Sequence, residues 1–363
     1  MSIVLLLSAL SLAVSCVLAL GILPKIIKIA HAKKLLDEVD ERKVHHVPVP
    51  RLGGTAFVPV LIVTLCALCA IYPSGCSMNE FCGFVAAMML INVVGIYDDL
   101  MGVRYAVKFS VQIVSGILLC LSGFGLTSFN GLFGITDLPV VVSWLLTLFL
   151  VVFVVNAINL IDGVDGLAAS LSIVALAMLG GVLMVVAPFY AWLAAAGIGV
   201  LLAFLLYNIW GSAEQKTKLF MGDGGSQALG FLIVFLLLAI NRKGTIYLLS
   251  DTPLNPIVLG LAAVAVPCLD VVRVGLLRLY LGRHPFLPDR NHIHHCFLRL
   301  GYSHKRVVCY LLMIALGFIV YNLGMAQLIG PTWVFLSDWV LWLCIHLVLT
   351  YAVFKYERRK CCF

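Results

Sequence analysis

Long apolar stretches alternate with short polar segments along almost the whole chain. The stretches approach the roughly 20 residues that a helix needs to cross about 30 Å of hydrocarbon, and they lack the strict alternation of barrel strands. Because backbone groups in lipid must be hydrogen bonded within their own segment, the stretches predict membrane helices. We predict eleven spans, at residues 2–23, 55–72, 81–97, 105–124, 141–158, 167–187, 189–208, 226–241, 254–280, 305–328 and 333–355.

Two regions of this pattern are less regular. Pro188 separates two apolar runs with almost no loop between them. The 254–280 stretch contains two prolines and two charged residues, which predict a broken or tilted helix reaching into the cytoplasm; they are Pro256, Pro267, Asp270 and Arg273. The first span has no small-residue cleavage site before Lys25, so we expect it to be retained rather than removed as a signal peptide.

Basic residues predict the orientation of the spans. If the 25–54 loop is cytoplasmic, all but two of the 24 Lys and Arg residues lie on the inner side or at the inner ends of spans, the exceptions being Arg242 and Lys243. This is a strong positive-inside bias. We therefore predict an N-terminus outside, a C-terminus in the cytoplasm and a candidate site on the cytoplasmic face.

Composition agrees with an all-α, polytopic integral membrane protein. The chain is 63% hydrophobic and 11% charged, with a mean hydropathy of +1.10. It has no tandem repeat and no soluble segment of domain size, so we predict one membrane-embedded domain over residues 1–363. The net charge of +7 could attract anionic lipid head groups or a phosphorylated substrate at the inner face; no nucleic-acid partner is predicted. The 12 cysteines lack paired metal spacing and are interpreted as apolar packing residues.

Acidic motifs recur where spans meet cytoplasmic loops. Carboxylates at this depth are costly unless they pair, line a wet cavity or hold a cation. Taken alone, Asp98-Asp99 could be a solvated helix end, and the Asp162–Gly166 segment could be a turn with a helix N-cap. Asp223 is more specific, because flanking glycines allow close backbone approach to a phosphate while the carboxylate offers a hard oxygen ligand. Together these motifs favour a magnesium and phosphate site.

Basic side chains sharpen that prediction. His292, His294 and His295 follow Arg290, and imidazoles beside a guanidinium suit a multiply charged phosphate. Zinc is the alternative, although no cysteine cluster or His-Glu-x-x-His pattern accompanies the histidines. Lys108 lies just inside the fourth span, where its stem can snorkel and its ammonium can meet phosphate; a simple anchor at the inner face is the other interpretation.

The ordered set of motifs resembles the polyprenyl-phosphate N-acetylhexosamine-1-phosphate transferases of glycosyltransferase family 4. The resemblance covers almost the whole chain, through Arg51–Gly54, Asp98-Asp99, Lys108-x-x-x-Gln112, Asn156–Gly166, Phe220–Ser226 and Pro288–His295. It implies transfer of a sugar 1-phosphate from a UDP-N-acetylhexosamine to undecaprenyl phosphate in the bilayer of the bacterial inner membrane, with release of UMP. The implied cofactor is Mg²⁺, for which Mn²⁺ could substitute, and a homodimer is left open.

The same resemblance implies roles for individual residues. Asp223 corresponds to a magnesium ligand, and Asp99 is expected to support the metal site. We expect Asp98 to orient the acceptor phosphate or act as a weak base, rather than as a covalent nucleophile. The remaining candidates are expected to contact the nucleotide sugar, with Phe220 packing on uracil; they are Lys108, Asn159, Asp162, Asp165, Asn208, Phe220, Arg290, His292, His294 and His295.

The sequence leaves alternatives for the branch of the family and for the class of protein. The Pro-x-x-x-Asp-Arg-x-His-x-His-His form resembles the branch that uses UDP-GlcNAc to start O-antigen, teichoic acid or other cell-surface glycans, and the phospho-MurNAc-pentapeptide branch of peptidoglycan synthesis ranks second. CDP-alcohol phosphotransferases also carry Asp-Gly pairs, but here Ser170 stands where they have Arg. A transporter would place charges near the bilayer midplane in repeated halves, whereas only Asp270 is predicted to lie deeper.

Overall fold

The computed structural model describes residues 2–36, 48–72, 77–244, 246–247, 253–283 and 291–361. Most of these residues belong to helices. Within these residues, β-structure is limited to isolated bridges such as Ser128 with Asp137. The helices are α1 (Ser2–Ala32), α2 (Phe57–Ile71), α3 (Met78–Met101), α4 (Tyr105–Leu121), α5 (Val140–Ile161), α6 (Leu167–Val186), α7 (Pro188–Ile209), α8 (Gly222–Asn241), α9 (Pro256–Ala263), α10 (Ala265–Tyr280), α11 (Ile293–Arg299), α12 (His304–Met325) and α13 (Pro331–Cys361).

The helices confirm the all-α, polytopic membrane fold. Nine helices in the described ranges are long and apolar enough to cross a bilayer. The α9 and α10 pair passes the same test but is bent by 80°, and α4 is a shorter apolar helix. These elements account for the eleven predicted stretches. The orientation of the termini remains a prediction from charge, and the single-domain organisation also remains a prediction.

Prolines explain the two irregular regions. Pro188 is the first residue of α7, where its missing amide would be unpaired in any helix. Pro267 lies four residues beyond Ala263, and its ring cannot be accommodated against that carbonyl in a continuous helix. The chain therefore ends α9 at Ala263 and restarts as α10 at Ala265. The predicted break in the 254–280 stretch is confirmed.

α8 lies at the centre of the bundle. In its most apolar 18-residue window, 94% of the residues are buried, as expected for a helix that is apolar on all sides. It packs against α3 and α5. A Cβ atom on Gly95 of α3 would lie 2.4 Å from the Cα of Gly224, so only glycine allows this crossing. Small residues thus bring the end of α3 against the first turn of α8.

Candidate active site

The first turn of α8 carries Asp223 and is held by the end of α3. Asp99 accepts hydrogen bonds from the amide of Asp223 at 2.7 Å and from the amide of Gly224 at 3.0 Å. The first amides of a helix have no partner within their own helix, so a carboxylate from a neighbouring helix serves as the cap. Asp99 therefore fixes the backbone that presents Asp223, at the positive end of the α8 dipole.

Lys108 lies between Asp98 and Asp223, which belong to two different acidic motifs. Its Nζ atom contacts one carboxylate oxygen of Asp98 and one of Asp223. The Oδ1 atom of Asp98 accepts a hydrogen bond from the amide of Val103 at 2.6 Å. All three charged side chains are only 11–21% exposed. Three residues that are remote in sequence thus form one partly buried cluster, in which the ammonium offsets the repulsion between two carboxylates.

Asn159 extends this cluster along α5. Its amide nitrogen donates to Ser226 Oγ at 2.8 Å, and its side chain is also hydrogen bonded to Asp223. The Ser226 hydroxyl in turn donates to the carbonyl of Gly222 at 3.1 Å. The predicted pocket asparagine therefore lies directly beside the Asp223 carboxylate.

A row of side-chain amides continues from the site into the bundle. Asn156 donates to Gln112 Oε1 at 2.7 Å, and Gln112 donates to Gln227 Oε1 at 3.1 Å. Gln112 and Gln227 are buried. Buried amides are tolerated when they bond to one another, so this row ties α4, α5 and α8 together behind the charged cluster.

The segment before α2 pairs with the segment before α8. Gly53 donates to the carbonyl of Phe220 at 2.9 Å, Gly54 donates to that of Met221 at 2.7 Å, and Phe220 donates to Pro50 at 2.9 Å. This pairing brings the Arg51–Gly54 motif to the site and leaves Phe220 half-buried. The stacking of Phe220 on uracil stays a prediction.

Asp165 is paired with a lysine that sequence analysis missed. Lys218 Nζ lies 2.7 Å from Asp165 Oδ2, and Lys218 is 8% exposed. Lys218 lies in a short polar loop, two residues before Phe220. The sequence carried no signal for its role, because burial cannot be read from such a loop. If Asp165 contacts a nucleotide sugar, it therefore does so while its carboxylate is ion-paired with Lys218.

Asn208 connects two backbone segments of the site. Its Oδ1 atom accepts from the amide of Gly166 at 2.6 Å, and its Nδ2 atom donates to the carbonyl of Leu219 at 2.9 Å. The side chain is buried. These contacts link the Asp162–Gly166 loop to the segment before α8. The contact of Asn208 with substrate stays a prediction.

Asp162, at the end of α5, titrates close to neutrality. Burial, with a smaller contribution from the nearby Asp223 carboxylate, raises the pKa of Asp162 to about 7, although Arg51 acts in the opposite direction. A carboxyl group that changes charge near neutral pH is typical of functional sites. The predicted pocket carboxylate thus lies within the electrostatic reach of the charged cluster.

The histidine motif packs against the loop that follows α5. A Cβ atom on Gly163 would lie 2.5 Å from Nε2 of His294, so glycine is needed for this approach. The His294 ring centroid lies 4.2 Å from that of His295 and 5.9 Å from that of His292. Burial, with smaller contributions from His295 and His292, lowers the pKa of His294 to about 3. His294 is therefore neutral at physiological pH, and it supplies at most one ring donor.

Arg290, the remaining predicted site residue, lies outside the described residues. Asp270 of α10, in contrast, contacts the histidine motif, since its carboxylate lies 2.8 Å from His292 Nδ1. Sequence analysis noted Asp270 as a deeper charge without assigning it to the site; the rarity of carboxylates inside spans was the signal that could have done so.

Asp98 and Asp223 are the side chains best placed to hold a divalent cation. Across the described ranges, no three His, Cys, Asp or Glu side chains converge to form a complete metal site. Mg²⁺ at phosphate sites is commonly held by one or two carboxylates together with water and substrate oxygens. A carboxylate pair beside a helix N-terminus suits that pattern, and the zinc alternative finds no ligand set in this part of the chain.

Comparison with known proteins gives a consistent assignment. The family model described as Glycosyl transferase family 4 matches residues 81–241, which include the Asp98, Asp162 and Asp223 motifs. An undecaprenyl-phosphate alpha-N-acetylglucosaminyl 1-phosphate transferase from Yersinia pestis is 28% identical over 318 residues, covering 86% of this chain and 82% of the relative. The Salmonella typhimurium protein of the same name is 30% identical over 340 residues, with 90% and 85% covered. A decaprenyl-phosphate N-acetylglucosaminephosphotransferase from Mycolicibacterium smegmatis is 32% identical over 314 residues, with 80% and 75% covered. As the resemblance of its motifs predicted, the chain belongs to glycosyl transferase family 4.

Proposed function

We propose that this protein transfers GlcNAc 1-phosphate from UDP-GlcNAc to undecaprenyl phosphate at the cytoplasmic face of a bacterial inner membrane, releasing UMP. The observation that carries the proposal is the cluster of Asp98, Lys108 and Asp223 at the N-terminus of α8. The relatives support the choice of substrates, because their names specify polyprenyl phosphates and N-acetylglucosamine.

We also propose that the site takes Mg²⁺, held by Asp223 together with Asp98 rather than with Asp99, the second metal residue that the sequence predicted. The fit is supported by Lys108, whose ammonium already occupies the space between these two carboxylates and marks it as favourable for positive charge. When bound, Mg²⁺ would neutralise charge on the diphosphate of the donor. Asp99 would contribute by holding the first turn of α8, since both of its oxygens accept amide hydrogens there.

The reaction is a direct displacement at phosphorus. An oxygen of the lipid phosphate bonds to the β-phosphorus of the UDP-sugar, the bond from that phosphorus to the bridging oxygen breaks, and UMP leaves. A phosphate monoester has a second pKa near 6, so the acceptor is largely dianionic at neutral pH and needs little help from a base. Asp98 would orient the acceptor, and Lys108 would reduce the repulsion between the two anions.

An apolar pocket supports a lipid acceptor. A cavity of about 350 Å³ lies between α5, the bent α9 and α10 pair, and α13. Its walls are almost entirely aliphatic and aromatic, and they include Leu146, Phe149, Phe153, Leu261, Leu269 and Trp339. A polyprenyl chain offers only apolar surface along its length, and burial of such surface is favourable at roughly 25 cal/mol per Å². We propose that a later part of the isoprenoid chain lies in this pocket, which extends along α5 and α8 away from Asp223.

One assay tests the proposal. Purified protein is incubated with undecaprenyl phosphate, Mg²⁺ and a panel of UDP-sugars, and the lipid product is identified by mass. The expected product is undecaprenyl-diphosphate GlcNAc with equimolar UMP. Turnover only with UDP-MurNAc-pentapeptide would instead assign the protein to the peptidoglycan branch. Movement of solute across vesicles without release of UMP would contradict an enzyme and support the transporter.

A further inference from the structure

Asp270 is a fully buried carboxylate on α10, outside the charged cluster at the start of α8. Its side chain is 0% exposed. His292 Nδ1 lies 2.8 Å from Oδ2, and the amide of Ile293 lies 3.1 Å from Oδ1 and 3.2 Å from Oδ2. A buried carboxylate is retained in a fold only with such partners. These two partners come from the start of α11, where the histidine motif begins.

Arg273, one turn further along α10, completes this arrangement. Its guanidinium lies 3.1 Å from Asp270 Oδ1 and donates to the backbone carbonyl of Asn291. The ion pair lies within one helix, while its hydrogen bonds reach the chain on both sides of His292. Three consecutive residues, Asn291 to Ile293, are thus held by two side chains of α10.

The position of α10 gives these contacts a further consequence. Ala265, Cys268, Leu269 and Val272 lie on the face of α10 that lines the apolar pocket, whereas Asp270 lies on another side of the helix and faces α11. α10 therefore separates the pocket proposed for the lipid chain from the histidine motif. The ring of His346, from α13, approaches Asp270 at 3.7 Å and adds a third helix to the contact.

We propose that Asp270 is a positioning residue that acts through His292. An ionised carboxylate can only accept, so Nδ1 of His292 carries a proton and Nε2 is the ring nitrogen left to face other groups. The hydrogen bond fixes both the tautomer and the angle of the ring, as carboxylates that accept from functional histidines commonly do. This inference rests on the proposed function for the identity of the substrate, but the contact itself can be measured without turnover.

The first test is a double-mutant cycle on kcat/KM for UDP-GlcNAc. Asp270→Asn keeps the shape of the side chain and removes its charge, and we expect a loss of about 10-fold to 100-fold. His292→Gln should cost a similar factor. If Asp270 acts through His292, the double variant will lie within about threefold of His292→Gln. Losses that multiply in the double variant would overturn the proposal.

Glu357→Gln is the matched control. Glu357 of α13 pairs with Arg299, at the other end of α11, at 2.8 Å, but the two side chains are 49% and 45% exposed. An exposed pair contributes little, so this variant should keep kcat/KM within about twofold of the parent. Asp270→Asn as active as Glu357→Gln would contradict a positioning role.

Two measurements on folded protein keep the proposal testable if Asp270→Asn does not fold. The histidine ¹⁵N spectrum of the parent should show a protonated Nδ1 for His292, assigned by its loss in His292→Gln; an unprotonated Nδ1 overturns the proposal. Amide hydrogen exchange across residues 293–299 should rise at least tenfold in His292→Gln and remain unchanged in Glu357→Gln. Equal exchange in the two variants would also overturn it. A parent that makes no lipid product refutes the proposed function alone, since neither measurement depends on turnover.

Discussion

Replacing Lys108 with Met tests the central feature of the site. The substitution keeps an unbranched side chain of similar length on α4 and removes the ammonium that lies between Asp98 and Asp223. If the ammonium acts on the reacting phosphates, its loss must reduce turnover even when enough metal is present. If it only balances the two carboxylates until a cation arrives, saturating Mg²⁺ will restore turnover.

The contacts set the expected size of the loss. Two unit charges about 4 Å apart interact by about 4 kcal/mol at the effective dielectric constant of a protein surface, and these side chains are only 11–21% exposed. Removal of one charge-stabilising donor from an active site typically costs about 2.7–4 kcal/mol of transition-state stabilisation. We therefore expect Lys108→Met to lower kcat/KM by about 10²–10³-fold. Lys108→Arg should recover part of this, but a planar guanidinium cannot replace a compact ammonium at a single point between two carboxylates.

The assay follows UMP release from UDP-GlcNAc over a titration of Mg²⁺, with undecaprenyl phosphate held constant. Lys305→Met serves as the control, because Lys305 is an exposed lysine at the first turn of α12 on the same predicted face of the membrane. This control should retain the activity of the parent. It separates the loss of one specific cation from a general loss of positive charge at the inner surface.

A single result would refute the reasoning. If Lys108→Met at saturating Mg²⁺ keeps more than about a third of the parental kcat/KM, corresponding to less than about 0.7 kcal/mol, Lys108 has no role in the transition state. The ammonium would then only balance the two carboxylates, and the alternative interpretation of Lys108, as an anchor at the inner face, would gain support.

Three further predictions follow from the same geometry. Asp223→Asn should abolish nearly all turnover while the protein stays folded in the membrane, because a neutral amide keeps the shape of the ligand without its attraction for a cation; full activity at limiting Mg²⁺ would contradict it. Asp98→Asn should lower kcat while the affinity for UDP-GlcNAc, measured by calorimetry at saturating Mg²⁺, stays within a few-fold of the parent, whereas Phe220→Ala should weaken nucleotide binding by about 1–2 kcal/mol through lost stacking; the reverse pattern would exchange the two assignments. Because burial raises the pKa of Asp162 to about 7, the folded protein binds more protons than the unfolded chain between about pH 4 and pH 7, and its stability falls across that window. Melting temperatures from pH 4.5 to 8.5 should therefore show the parent losing stability relative to Asp162→Asn up to about pH 7, with a constant difference above that pH. Parallel curves for the parent and Asp162→Asn would refute the raised pKa.

The fold was predictable because lipid leaves the backbone few choices. Apolar length fixes a membrane helix, so the spans followed from composition alone. Pro188 predicted the boundary between α6 and α7, and Pro267 predicted the break between α9 and α10, because proline is not accommodated inside a continuous helix. Helix ends were displaced where residues outside the apolar run continued the helix: α13 extends to Cys361 instead of stopping at 355, and α3 extends through Asp98 and Asp99 to Met101. Such extensions depend on packing and capping, which hydropathy does not report.

The sequence predicted that several candidate residues share one face, but it did not predict their contacts. Membrane depth placed Asp98, Lys108 and Asp223 at one face, yet no spacing rule says that a single ammonium meets both carboxylates. Lys218 lay in a polar loop, where a lysine is ordinarily exposed, and its pairing with Asp165 depends on how that loop folds back over the site. Asp270 was predicted to lie deeper but was not assigned to the site, because the 80° bend between α9 and α10 is a tertiary property.

The balance of charge at the start of α8 explains why these elements occur together. Asp98, Asp99 and Asp223 bring three carboxylates to the edge of the membrane, where an unpaired anion is costly. The α8 amides satisfy Asp99, and one ammonium is shared between the other two. One cation does not balance two anions, so the cluster retains negative charge that a diphosphate would meet on arrival. We therefore propose that the site accepts a further cation before the donor or together with it, as a magnesium-dependent phosphotransferase requires.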